Sequence, residues 1–235
     1  MKQIPISEDL IYGAISFNRT PDWIEPWRLP YEERALYPSP DEALLERAST
    51  TAGVRLRFAT DATAIGLATE PYEEPRPFDF TIDGDLIQTV QQQAGSEEVT
   101  FDGLPSGHKT VELWLPQRHG TVRMRSLLVD GGSNVEASPD DRPKWVAYGS
   151  SITHCAQARS PACTWPAIAA RAKGMNLTCL GYGGNCHIEP MVARVIRDRE
   201  ADFISLKLGI NVYGAASLGP RTFKAAVIGL VRIIR

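Results

Sequence analysis

The sequence predicts two architectures in tandem: an all-β sandwich, jelly-roll-like, over residues 1–137, and an α/β unit built on a parallel sheet over residues 143–235. Three observations carry this. Short, often alternating apolar runs give way near Pro143 to strands that alternate with longer helical patterns. The charge balance reverses at the same place, with 24 acidic and 13 basic residues before Pro143 and 4 acidic and 12 basic from it onward. Between them lies a polar, proline-bounded segment, 136–143, that reads as a linker.

In the first half, apolar runs at 10–17, 54–59, 64–68, 78–82, 86–90, 99–101, 111–115 and 122–129 have strand length. Turn signals separate them: Asp83-Gly84-Asp85, Asp102-Gly103, Pro105-Ser106-Gly107 and His119-Gly120. Many short strands with such spacing fold as a sandwich because each buries one face. One short helix is expected at 40–47, capped by Ser39 or Asp41.

The second half reads βαβαβα: strand 144–148, helix 164–173 stopped by Gly174, strand 176–180, helix 190–199, strand 202–208 and helix 222–234. No internal repeat or low-complexity tract interrupts it.

Composition excludes several function classes. The net charge of −3 gives no whole-chain case for nucleic-acid binding. No run approaches the ~20 apolar residues that span a bilayer, so no membrane partner is expected. The first nine residues lack an apolar signal core. The cysteines, Cys155, Cys163, Cys179 and Cys186, all fall in the second half, which suits reduced thiols in a cytoplasmic protein better than a disulfide scaffold. The opposed charges of the halves read first as complementary docking faces, and second as a basic half that attracts an anionic substrate. Oligomeric state is open.

In an open parallel sheet, ligands bind beyond the carboxyl ends of the strands. There the chain places Gly149-Ser150-Ser151-Ile152-Thr153-His154, then Gly181-Tyr182-Gly183-Gly184-Asn185, then Gly209-Ile210-Asn211. A hydroxyl at a helix start, a glycine turn that can present an N–H, and a carboxamide are the parts of an oxyanion hole around a serine. Neighbouring motifs fail: position 153 is Thr where a G-x-S-x-G elbow needs Gly, position 186 is Cys where G-x-G-x-x-G needs Gly, and no G-x-x-x-x-G-K-[ST] loop occurs.

These three blocks resemble those of the GDSL/SGNH hydrolases. Gly149-Ser150-Ser151-Ile152 is similar to their Gly-Asp-Ser-Leu/Ile, Gly183-Gly184-Asn185 to their second block, and Gly209-Ile210-Asn211 to their Gly-x-Asn-Asp. The resemblance implies a flavodoxin-like sheet, a nucleophile at Ser151, oxyanion donors at Gly184, Asn211 and the Ser151 N–H, and an esterase, lipase or acyltransferase that needs no cofactor or metal. Its substrate would be a small-molecule or carbohydrate ester. The first half more loosely resembles the accessory sandwich of one branch of these enzymes.

Three departures qualify this. Ser150 and Val212 replace two aspartates of the pattern. The family's base is a late His with Asp three residues before it, and none of His108, His119, His154 and His187 has that Asp. With three strands where the family has about five, a C-terminally shortened member with an incomplete site is expected.

Other readings stand beside these. Ser151 is equally placed to be a helix N-cap, Gly184 a plain turn residue, and Asn211 the cap of a turn before Tyr213-Gly214. His154 lies one helical turn past Ser151 and reads as a packed residue first, a substitute base second; His187 reads the same way. His154-Cys155 and Cys186-His187 offer zinc-type ligands or a Cys155–Cys186 bridge, against the absence of any C-x₂-C spacing. Trp23, Trp27, Tyr72 and Trp114 pack the sandwich or form a sugar-stacking surface. The rival to the esterase is accordingly a non-catalytic carbohydrate-binding protein with a degenerate hydrolase unit.

Overall fold

The computed structural model describes residues 1–235. Twelve strands come first: β1 (Lys2–Pro5), β2 (Ile11–Tyr12), β3 (Ser16–Arg19), β4 (Ile24–Trp27), β5 (Arg55–Thr60), β6 (Ile65–Thr69), β7 (Arg76–Ile82), β8 (Asp85–Gln92), β9 (Glu98–Phe101), β10 (Lys109–Trp114), β11 (Met124–Val129) and β12 (Val135–Ala137). They form two antiparallel sheets. One runs β3-β4-β11-β6-β9 with β1 also on β11; the other runs β12-β5-β10-β7-β8 with β2 also on β5. The alternating apolar residues meet in one core that includes Phe58, Phe78, Phe80, Phe101, Leu113 and Leu127.

Differences from the expected strands have local causes. The run 10–17 is broken: a 3-10 turn at Glu8–Leu10 leads into β2, and β3 begins only at Ser16. β4 gave no signal because it contains Glu25 and Pro26, yet Glu25 is buried and accepts from Asn18 Nδ2 (3.1 Å) and Trp27 Nε1 (3.1 Å). The helix α1 (Ala43–Ser49) starts later than expected, and its N-cap is Glu42 rather than Ser39 or Asp41; those two still accept from first-turn amides, Asp41 Oδ1 from the Ala43 N–H (3.2 Å) and Ser39 Oγ from the Leu44 N–H (3.2 Å).

The second half comprises β13 (Lys144–Gly149), α2 (Ser151–His154), α3 (Trp165–Lys173), β14 (Asn176–Gly181), α4 (Pro190–Asp198), β15 (Phe203–Lys207), α5 (Ile210–Ala215) and α6 (Pro220–Ile234). The sheet is parallel in the order β14-β13-β15. After Lys144, β13 is apolar and buried because both of its faces are covered. Trp145 and Ala147 pack with Ala167 and Ala170 of α3; Val146 and Tyr148 pack with Val192 and Ile196 of α4 and Leu230 of α6. β15 hydrogen-bonds to β13 alone, and its Phe203 is 54 % exposed. No helix is long and apolar enough to cross a membrane.

Two expectations about the junction are corrected. The segment 136–143 is not a solvated linker: Val135–Ala137 is a strand on β5, and Asp140 is buried between Arg55 Nη2 (3.2 Å) and Arg142 Nη2 (2.6 Å). Nor do acidic and basic faces simply meet. Arginines of the first half instead donate to main-chain carbonyls of the second. Arg55 Nη1 reaches the Leu177 carbonyl (3.1 Å), and Arg28 Nη1 reaches those of Cys179 (3.0 Å) and Gly181 (2.7 Å). A carbonyl carries no net charge, so sequence charge counts could not reveal this contact.

Candidate active site

Register places three chain exits at one level. Gly149, the last residue of β13, lies beside both Gly181 of β14 and Lys207 of β15, so the segments that follow leave the sheet together.

The first exit enters α2. Ser150, fully buried, is the N-cap, its Oγ accepting from the Ile152 N–H (3.4 Å). Ser151 is therefore the first helical residue and not the cap: it is exposed, and its hydroxyl has no protein partner. Its N–H belongs to the first turn, where amides lack intrahelical acceptors.

The second exit is the turn Tyr182–Asn185, closed by the Asn185 N–H on the Tyr182 carbonyl (3.0 Å). It comes close to α2: a side-chain carbon on Gly183 would stand 3.7 Å from Ser151 Cβ, and one on Gly181 would collide with the His154 backbone. Gly184 has φ +77 and open space around it, and its N–H has no acceptor in the protein. Its carbonyl accepts from His187 Nε2 (3.0 Å), while His187 Nδ1 meets Ser217 Oγ (2.7 Å). Glu189 braces the same turn, accepting from the His187 N–H (3.0 Å) and the Tyr148 hydroxyl (2.8 Å).

The third exit enters α5, so Asn211 is helical rather than the cap of a turn before Gly214. Its Oδ1 accepts from the Cys186 N–H (3.1 Å), which ties the third segment to the second and leaves Nδ2 to donate elsewhere. Ser151 and Gly184 are exposed and Asn211 half-buried, so the site is shallow and open.

His154 does not stand in as a base. It is buried, its Nε2 is 2.8 Å from the Gln117 carbonyl, and burial, reinforced by the Arg28 cation, pushes its pKa down to about 3. A carbonyl only accepts, so Nε2 carries the proton and the imidazole is neutral. The Cys/His set does not converge either. His154 and His187 are engaged with different partners, all four cysteines are free thiols, and no group of three or more His, Cys, Asp or Glu could hold a metal. Burial pushes the Cys186 thiol up to about 12.

Sequence reasoning missed the supports from the first half. Arg28 is fully buried without a carboxylate partner. Besides the carbonyls of Cys179 and Gly181, it donates from Nε to the Thr50 carbonyl (2.5 Å) and from Nη2 to that of Arg47. It thereby fixes the end of β14 from which the glycine turn emerges. Gln117 locks His154 and donates to the Ala158 carbonyl (2.8 Å); Asp79 Oδ2 accepts from the Ala162 N–H (2.7 Å). Of the two readings of the sandwich aromatics, packing rather than a shared sugar-stacking surface describes their placement. Trp27 and Trp114 are buried, and Trp23 and Tyr72 lie beneath the guanidinium groups of Arg123 and Arg76.

The comparisons with known proteins follow this division. A model described as the SsfX3 N-terminal domain matches residues 10–123, and one described as the GDSL-like lipase/acylhydrolase family matches residues 143–213. Among solved structures, the salicylyl-acyltransferase SsfX3 from a tetracycline biosynthetic pathway is 35% identical, with a TM-score of 0.90; the match covers 100% of this chain and 69% of that one. The chain belongs to the GDSL-like lipase/acylhydrolase family. Two more distant structures share the fold. A GDSL-like lipase-type protein of Bacteroides ovatus (21% identity, TM-score 0.78) is matched over 100% of this chain and 70% of its own. A family two carbohydrate esterase of Clostridium thermocellum (15% identity, TM-score 0.69) is matched over 96% and 73%. No curated protein sequence matches the chain. Esterase and acyltransferase chemistry is thus the activity class of this GDSL-like family, and its fold accounts for both the antiparallel first half and the parallel sheet.

Proposed function

We propose that the chain carries the nucleophile and oxyanion donors of a serine ester hydrolase or acyltransferase. Ser151 Oγ attacks the ester carbonyl carbon and passes its proton to a base. The carbonyl oxygen takes up negative charge and is held by the N–H groups of Ser151 and Gly184 and by Asn211 Nδ2. Collapse of that intermediate breaks the bond to the alcohol oxygen, which takes a proton and leaves, and the acyl-enzyme passes its acyl group to water or to another hydroxyl. The likeness to SsfX3, an acyltransferase, favours transfer to a hydroxyl.

The observation that carries this reading is the division of labour between adjacent serines: Ser150 caps the helix, which leaves Ser151 exposed beside the Gly183-Gly184 turn. No histidine of residues 1–235 is placed as its base, because His154 is locked on Gln117 and His187 on Ser217 and Gly184. The test therefore supplies a base. A fluorophosphonate probe is added to the chain with increasing imidazole, and the modified peptide is mapped by mass spectrometry. Labelling at Ser151 that rises with imidazole and vanishes in Ser151→Ala supports the reading. Folded protein that stays unlabelled at Ser151, or is labelled equally at several serines, overturns it.

A further inference from the structure

The glycine turn leaves a notch beside Ser151. Gly183 lies outside the left-handed region, so its backbone does not call for glycine. A side-chain carbon there would make only ordinary contacts, 3.5 Å from His154 Nδ1, 3.7 Å from Ser151 Cβ and 3.8 Å from Arg47 Nε. These three groups bound an unfilled space. Two of them belong to the second half of the chain; the third is a cation carried by α1 of the first half. The His154 imidazole is neutral, so the guanidinium is the one full charge on the boundary.

Arg47 is fixed in this place and only partly engaged. Arg28 donates from Nη2 to the Arg47 carbonyl and from Nη1 to that of Gly181 (2.7 Å), so one buried guanidinium joins the last turn of α1 to the end of β14. The Arg47 side chain is half-buried, and its Nη1 meets Glu46 Oε1 (2.6 Å), whose own side chain is 64% exposed. An ion pair that open to water is weak and readily exchanged. Nε and Nη2 have no acceptor in the protein. Together they form one edge of the guanidinium, a fork that matches the two oxygens of a carboxylate.

We propose that Arg47 is a specificity-determining residue that binds a carboxylate of the substrate, so that the ester carries an acidic group a few bonds from its reacting carbonyl; the proposal rests on the ester chemistry assigned to Ser151. Arg47 Nε and Ser151 Cβ are no further apart than the sum of their distances to the Gly183 position. A carboxylate about 3 Å from Nε on the side of Ser151 therefore adjoins the nucleophile. A neutral ester leaves this edge of the guanidinium to water, whereas a half-ester of a short dicarboxylic acid occupies it.

The test compares two esters that differ in one group. Monomethyl succinate carries a carboxylate where methyl succinamate carries a carboxamide. Binding of each to the full chain is followed by NMR through the Arg47 Nε–H signal, and their protection of Ser151 against the fluorophosphonate is measured alongside. Monomethyl succinate is expected to bind about tenfold more tightly, to move the Arg47 signal and to slow labelling of Ser151. The preference should shrink as salt is raised, fall to about one in Arg47→Met, and survive in part in Arg47→Lys, which keeps the charge without the fork. A merely structural arginine would give neither the salt dependence nor the rescue by lysine. Should Arg47→Met fail to fold, the preference and the Arg47 signal of the wild-type chain decide. Equal binding of the two esters, a preference that persists in Arg47→Met, or binding that leaves the Arg47 signal unmoved overturns the proposal. The two assignments fail separately. Preferential binding at Arg47 in a chain whose Ser151 resists the fluorophosphonate keeps the anion site and removes the ester chemistry. Labelling of Ser151 with no preference between the esters removes the anion site alone.

Discussion

His154 makes stability depend on pH in a way the structure specifies. It is buried, its pKa is pushed down to about 3, and an unfolded histidine titrates near 6.5. Between those values the unfolded chain holds one more proton than the folded one, so stability is full above pH 6.5 and falls as the pH drops toward 3. The slope is about 1.4 kcal/mol per pH unit, which amounts to a loss of about 3 kcal/mol between pH 7.5 and 4.5 from this one residue. Carboxylates titrate in the same window, so the comparison needs His154→Gln. Urea unfolding of both proteins at pH 7.5 and 4.5 should show the wild type losing about 3 kcal/mol more than the variant. Equal losses, or an NMR titration that puts the His154 ring near 6.5, would refute the reasoning and reopen His154 as a candidate base.

Three further outcomes are expected. Arg28→Met strips donors from the carbonyls of Thr50, Cys179 and Gly181 at about 1–3 kcal/mol per buried group; urea unfolding should show a loss of several kcal/mol, and a loss below about 1 kcal/mol would contradict the bracing role. Asn211→Ala should slow imidazole-supported phosphonylation of Ser151 by about 10²–10³ while costing only about 1 kcal/mol for the bond from the Cys186 N–H; an unchanged rate would remove Asn211 from the oxyanion site. Gly184→Ala meets open space, so its cost should be the left-handed backbone alone, about 1–2 kcal/mol in a thermal melt; a far larger loss would mean the turn is packed.

The sequence displayed what repeats locally. Parallel strands covered on both faces, such as β13, read as apolar runs, and Gly174 marked the end of α3, where it adopts φ +61. The three blocks were legible because each directly follows a strand. What stayed hidden depends on distant residues. β4 is held by buried partners of Glu25, not by propensity. Arg28 meets Gly181 across 153 positions, through a guanidinium and a carbonyl that leave no charge pattern. Which adjacent serine caps α2 was also undecidable from residue type, since either hydroxyl suits the role.

The central claim is that Ser151, Gly184 and Asn211 act on one oxyanion. A crystal structure of the fluorophosphonate adduct tests it most directly, because its phosphonyl oxygen takes the place of the charged carbonyl oxygen. The expected result is that oxygen within about 3 Å of the Ser151 N–H, the Gly184 N–H and Asn211 Nδ2. An adduct on Ser151 whose phosphonyl oxygen points into solvent, with Gly184 and Asn211 turned away, would contradict it.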